Sequence, residues 1–231
     1  QIDAAATTVA GIPTTFAHRS LFSLTTQTNT IWGQGLSALR YSVGDSLQGN
    51  QRNILVTNAL PFATLNDPRL PVTKRTTAGQ DGQTVMNVTS VYGQLTPVDI
   101  ANGIDARFIE AEKALRDKNY AQWLSILNAL RASPPTIHGT SVAAMPALQD
   151  PGDDVARVNL HFREKALWTF SRGQRLGDLR RLIRQYGRSP NAVFPTGTHY
   201  KGGAFGPDVN LPIIQDEQNN PKFKGCLDRN A

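Results

Sequence analysis

The sequence predicts a mainly α-helical fold, with short helical pairs of the tetratricopeptide type, a long loop-rich part and a small β-hairpin. Three observations carry this. Apolar residues recur at helical spacing between residues 105 and 187, in two separate pairs of segments. Glycine, proline and Asn/Asp turns interrupt residues 1–104 too often for long elements. Residues 188–231 are rich in proline and glycine and read as an irregular closing segment, ordered by packing. A chain of 231 residues is also long enough to bury a sizeable core.

Taken in order, IDAAATTVAGIP reads as a short helix ended by Gly11 and Pro13. TNTIWGQGLSALRYSV (28–43) is mixed and broken by glycine. NILVTNALPFATL and QTVMNVTSVYGQL read as extended or strand-like, set apart by the turn-rich NDPRLPV and AGQDGQ. From residue 105 the period changes. Asp105 is a candidate N-cap, and Phe108, Ala111, Glu112 and Leu115 share one helical face. Tyr120, Trp123, Leu124, Leu127 and Leu130 repeat the pattern after a joint near Lys118–Asn119. Two short helices with a tight joint form a helical hairpin, with no second copy at a fixed period. A loop follows. Asp153 and Asp154 then open a helix expected over about 154–171, stopped at Gly173. The next helix carries Leu176, Leu179, Leu182, Ile183 and Tyr186 and ends at Gly187.

The net charge is +6, and eight basic against two acidic residues between Arg163 and Arg188 account for all of it. Such a stretch can track phosphates. However, Glu164 and Asp178 lie among the arginines, and the same helices carry Phe162, Leu167, Trp168 and Phe170 for packing. Arginine beside carboxylate at a helical joint points to intramolecular pairing rather than to nucleic acid. Catalytic patterns are scarce. His18, His138, His161 and His199 lie far apart in sequence, without metal-binding spacing, and no catalytic residue, metal or cofactor is expected. Glu110 and Glu112 stand at i and i+2 on a helix and point apart, so they cannot flank one glycosidic bond. The single cysteine, Cys226, allows no internal disulfide and no zinc cluster.

Four segments, in order, resemble the SusD/RagB family. NDPRLPV (66–72) is similar to its Asp-Pro-Arg loop, and Leu127, Asn128 and Arg131 match its Leu-Asn-x-x-Arg helix end. GQRLGDLRR (173–181) carries the family's helix joint through Gly173, Arg175, Asp178, Leu179 and Arg181. NLPIIQDEQNNPKF (210–223) resembles the closing signature through Pro212, Ile213, Glu217, Asn220 and Pro221. Three positions depart from the pattern: Trp168 and Arg172 stand where carboxylates are usual, and Ile214 where a second proline is. The departures imply a rewired ion-pair network around the joint.

The resemblance implies a SusD-like fold and a non-enzymatic protein of the outer membrane. It would capture a glycan, or a peptide, for a SusC-like TonB-dependent transporter. It also implies a division into a loop-rich, ligand-facing part (1–104), a helical part (105–187) and a closing part (188–231). The likeness spans the C-terminal half of the family pattern. It therefore implies a lipidated cysteine and further helical repeats upstream of Gln1, or another chain covering the apolar faces those repeats would cover. A disulfide partner for Cys226 is expected in the full protein. Sugar recognition needs flat aromatic faces beside planar hydrogen-bonding groups. Trp32 and Tyr41, with Asn29, Gln34 and Arg40 close by, are the candidate ligand residues; Trp123 and Trp168 lie on helical stripes and belong to the core. Two other readings stand beside this one, a structural or assembly subunit built from a processed half-domain and a basic nucleic-acid binder.

Overall fold

The computed structural model describes residues 1–211 and 213–224, so Pro212 and Cys226 lie outside the described residues. The helical pattern is realised, but the fold is mixed α/β rather than mainly α. Seven α-helices are accompanied by three two-stranded antiparallel sheets among the described residues. The strands are short and largely exposed, so they carry little alternation that a sequence could show. β4 (Val72–Ala78) has five exposed residues in a row, while its partner β5 (Val85–Thr89) buries Met86 and Val88. β5 falls within the segment read as strand-like, but its partner β4 does not; they pair with Val72 opposite Thr89 and an irregular register after Lys74.

The chain forms two compact units. The first comprises residues 1–43 and 62–172, the second residues 44–61 and 173–231.

In the first unit, α1 (Ile2–Val9) ends before Gly11 as its sequence demands. β1 (Ala17–Ser20) pairs with β6 (Val98–Asn102), which runs directly into α3 (Gly103–Arg116). Asn102, not Asp105, caps α3. The Asn102 side chain accepts from Asp105 N at 3.1 Å, and the Asp105 carboxylate accepts from Asn102 N at 2.9 Å. Asp105 thus completes a capping box in the first turn, and the helix begins about one turn before the start expected from Asp105. Gly103 is required by close approach, because a Cβ there would lie 2.2 Å from the Pro13 carbonyl oxygen.

α3 packs on α4 (Tyr120–Ala132) across the joint at 117–119, where Lys118 takes a left-handed turn and Asn119 caps the second helix. α5 (Asp154–Trp168) is capped by Asp153 and packs on α3. It ends at Trp168, three residues earlier than the apolar pattern suggests. Phe108, Ala111, Leu115, Trp123, Leu127, Leu130 and Trp168 form one core, into which the loop after α4 inserts Ile137 and Met145. Full burial of each such large side chain contributes roughly 1.5–3 kcal/mol. A second, smaller core gathers Val43, Leu70, Val91 and Tyr92, with Trp32, Phe62 and Phe170 against it.

The second unit contains a two-residue ribbon, β2 (Leu47–Gln48) with β3 (Ile54–Leu55), and α6 (Arg175–Tyr186). Gly173 precedes α6 with φ +74°, and Gly187 ends it with φ +66°, letting Arg188 N reach back to Leu182 O. Val56, Leu179, Leu182, Val193 and Val209 are its buried apolar residues. α7 (Gln215–Gln218) is a single turn.

Candidate functional site

Two buried polar lattices lie in the first unit; the first joins motif residues of the sequence, and the second includes Asp105 and Arg172 beside Arg19, Asp99 and Asn102, which the sequence did not single out. The first centres on Arg69. Its guanidinium is fully buried and forks twice. One fork takes Asp67, with Nε–Oδ1 at 2.7 Å and Nη2–Oδ2 at 2.6 Å. The other takes Glu164 on α5, with Nη1–Oε2 at 2.7 Å and Nη2–Oε1 at 3.2 Å. Arg131, at the end of α4, donates to both oxygens of Glu164 at 3.0 and 3.1 Å and to Pro146 O at 2.7 Å. Two cations and two carboxylates balance, which is the condition under which charges tolerate burial. Burial alone would raise the Asp67 carboxyl, but its hydrogen bonds to Arg69 outweigh that and hold it below the usual carboxylate range. Trp168 closes the lattice, with the Arg69 guanidinium 5.1 Å above its ring.

The second lattice starts at the α3 cap. Arg19 Nε donates to Asp99 at 2.7 Å, and Asn102 Nδ2 donates to the other Asp99 oxygen at 2.9 Å. Arg172 holds the capping-box carboxylate of Asp105 with both Nη groups, at 2.9 and 2.7 Å, and donates through Nε to Asp99 O at 2.9 Å. Trp168 and Arg172 both have a place in these lattices. Trp168 supplies a ring face to a cation, and Arg172, in the turn after α5, brings a cation to the Asp105 carboxylate of α3. In the second unit, Asp178 is buried, with Arg181 one turn on at 3.3 Å. Burial lowers the Arg175 guanidinium and the Asp178 charge opposes that fall.

The candidate ligand residues lie on one irregular segment, whose ends are both fixed. Asn29 caps α2 (Thr30–Trp32), accepting from Ile31 N at 2.8 Å and Trp32 N at 3.2 Å, and donates to Thr96 O at 2.7 Å. It is fully buried, and its side chain is spent inside the protein, so it positions the segment and does not face a ligand. A π-helical turn, Gly33–Ser37, follows, and Arg40 N donates to Gln34 O at 2.8 Å to close the loop. Val43 N then docks on Asn87 O at 2.8 Å. Between these anchors Trp32 and Gln34 are half-buried, Arg40 is exposed, and Tyr41 is 68% exposed. Trp32 gives part of its surface to the second core. What remains is a rigidly held loop with an aromatic ring, a guanidinium and a carboxamide near water.

The remaining motif residues are local. Glu217 lies in α7 and Asn220 and Pro221 in the exposed turn after it, where Asn220 Nδ2 is 3.4 Å from Glu217 Oε1 and Asn220 Oδ1 accepts from Lys222 N at 3.0 Å.

Sequence reasoning missed two buried histidines in polar company. His161 on α5 accepts from Trp123 Nε1 at 3.4 Å, with Glu112 3.9 Å away. Glu112 thus faces inward, while Glu110 pairs with Arg107 at 2.9 Å, so the two glutamates do point apart. His138 lies at the tip of a tight turn with φ +49°, its Nε2 2.9 Å from the Tyr92 hydroxyl. Tyr92 donates to Phe170 O at 3.1 Å, so His138 Nε2 carries the proton and Nδ1 has no hydrogen-bond partner. Burial pushes the His138 imidazole down to about 4 and the Tyr92 phenol well up.

Among the described residues, no group of three or more His, Cys, Asp or Glu is placed to hold a metal, and no helix is long and apolar enough to cross a membrane. Comparison of the chain with protein-family models, curated proteins and solved structures returns no match.

Proposed function

We propose that this chain is a SusD-like nutrient-binding protein, non-enzymatic, that captures a glycan at the outer membrane for a TonB-dependent transporter. One observation supports the reading. The Asp-Pro-Arg loop, the Leu-Asn-x-x-Arg helix end and Glu164 of α5, which precedes the Gly173 joint, come from sequence-distant segments. They meet in a single buried lattice of Arg69, Asp67, Glu164 and Arg131. Residues shared with a family are expected to be coupled in this way when they specify a common scaffold. On that scaffold the sugar ring would lie on Tyr41 and the uncovered part of Trp32. Gln34 and Arg40 would bond its hydroxyls.

A glycan array followed by calorimetric titration of the purified chain tests this. Binding to at least one oligosaccharide is expected, weakened about tenfold by Tyr41→Ala, the factor that ~1.4 kcal/mol of stacking gives. Absence of binding across the array, or binding that neither Tyr41→Ala nor Trp32→Ala changes, contradicts the reading.

A further inference from the structure

The loop between α4 and α5, residues 133–153, contains no helix and is held to the first unit in two different ways. Its second half is clamped to α4. Asn128 Nδ2 donates to Leu148 O at 3.1 Å, Asn128 Oδ1 accepts from Leu148 N at 2.7 Å, and Met145 N donates to Arg131 O at 2.9 Å. Arg131 adds its bond to Pro146 O. Amide, guanidinium and backbone groups make this clamp, and none of them titrates between pH 7 and 4.

The first half is held by two side chains. Among residues 133–144 only Ile137 and His138 are buried. Ile137 enters the first core, and His138 stands in a tight turn closed by Ile137 N to Thr140 O at 2.9 Å and Thr140 N to Ile137 O at 2.8 Å. His138 takes φ +49°, a left-handed conformation that a residue with a side chain keeps only where its surroundings hold it. Tyr92 does the holding. The two rings are tilted by 38° with centroids 4.3 Å apart, and Nε2 lies 2.9 Å from the hydroxyl.

This anchor tolerates only the neutral ring. Nδ1 is buried and has no acceptor. The charges that face His138 are already balanced: Arg19 of β1 is bonded to Asp99 of β6, and Arg172 after α5 to Asp105 of α3. Tyr92 is itself pushed well up by burial and keeps its proton, so it offers no countercharge. A proton on Nδ1 adds a buried donor without an acceptor, and a third cation to two cations and two carboxylates. Burial holds the imidazole down; Asp99 opposes this, and Arg172 and Arg19 reinforce it. We infer that residues 134–144 form an acid-released strap: protonation of His138 expels its ring from Tyr92, and the strap swings out about the clamp at 145–148 while the helices stay packed. The open strap bares the place of Ile137 in the first core and a face of Tyr92, on the core against which Trp32 packs. The device stands whether or not the Trp32–Tyr41 loop binds a sugar.

Hydrogen exchange of the full chain between pH 7 and 4, corrected for the intrinsic pH dependence of exchange and repeated at low urea concentrations, tests this. The Ile137 and Thr140 amides report the strap, the Met145 and Leu148 amides the clamp, and the buried amides of α3 the whole unit. Strap opening is expected to grow about tenfold per pH unit below 6.5, about 300-fold by pH 4, with little dependence on urea. Clamp and α3 amides should exchange more slowly and respond to urea as global unfolding does. His138→Asn, which tolerates the left-handed turn, should make strap opening independent of pH. Strap amides that exchange at the rate and urea dependence of α3, or that show no rise in acid, overturn the inference. Both results are read on the unsubstituted chain, so they decide it whether or not the variant folds. An acid slope that survives in a folded His138→Asn overturns it also.

Discussion

The buried lattice around Arg69 and the loop around Tyr41 belong to the same compact unit and are built on opposite principles. In the lattice two cations and two carboxylates converge from three places in the chain, lie out of water and bond one another in forks. In the loop, Asn29 is buried and spent on the backbone, Trp32 and Gln34 are half-buried, and Arg40 and Tyr41 are exposed. The lattice cannot accept a ligand without breaking charge pairs at a cost of several kcal/mol. The loop can accept one without breaking anything. The motif residues Asp67, Arg69 and Arg131 are therefore scaffold, and the candidate ligand residues carry no motif.

Four changes sharpen that contrast, from the largest effect down. Glu164→Gln leaves Arg69 buried with one carboxylate fewer and should cost about 3–5 kcal/mol in urea denaturation. A loss below about 1 kcal/mol would mean that the lattice is not holding the unit. The next largest effect comes from acid. His138 is held down to about 4 by burial, below its ordinary 6.5, so the folded state favours the neutral ring. That contribution is complete above pH 6.5 and is lost as pH falls towards 4, about 3 kcal/mol at 1.36 kcal/mol per unit. Denaturation midpoints measured across that window should fall, and His138→Asn should flatten the slope. Asp67, whose folded value is depressed, adds its own loss only around and below its ordinary 3.8. Gly103→Ala drives a Cβ onto the Pro13 carbonyl and should cost roughly 1–3 kcal/mol, read from the thermal midpoint. Tyr41→Ala, at an exposed position, should change stability by no more than about 0.5 kcal/mol.

Much of the helical half was legible. The Asn119 joint, the Asp153 cap and the Gly187 stop are side-chain signals that act within one turn, and each is found where the sequence put it. The α3 start was displaced because two capping residues compete there, and Asn102 takes the cap while Asp105 completes the box. β1 and β4 escaped notice for a different reason, whereas β3 and β5 fall within segments read as strand-like. β1 is Ala-His-Arg-Ser and β4 is mostly exposed, so neither has an apolar face to alternate, and β1 pairs with β6 far along the chain. The partners of Glu164 were equally unreadable. The sequence places it among arginines, yet the two it bonds are Arg69 and Arg131, 95 and 33 residues away. At the loop, Tyr41 was legible as an exposed ring, whereas the inward turn of Asn29 depends on Gln94 and Thr96, which no local pattern announces.

The division between scaffold and contact face is tested most directly by one parallel titration. Tyr41→Ala and Arg131→Lys are compared with the unsubstituted chain for affinity to whichever oligosaccharide it binds, at a temperature where all three are folded. The expected result is affinity about tenfold weaker for Tyr41→Ala and unchanged for Arg131→Lys, although the latter loses its fork on Glu164. The reverse result, with affinity following the lattice and indifferent to the exposed ring, would contradict it.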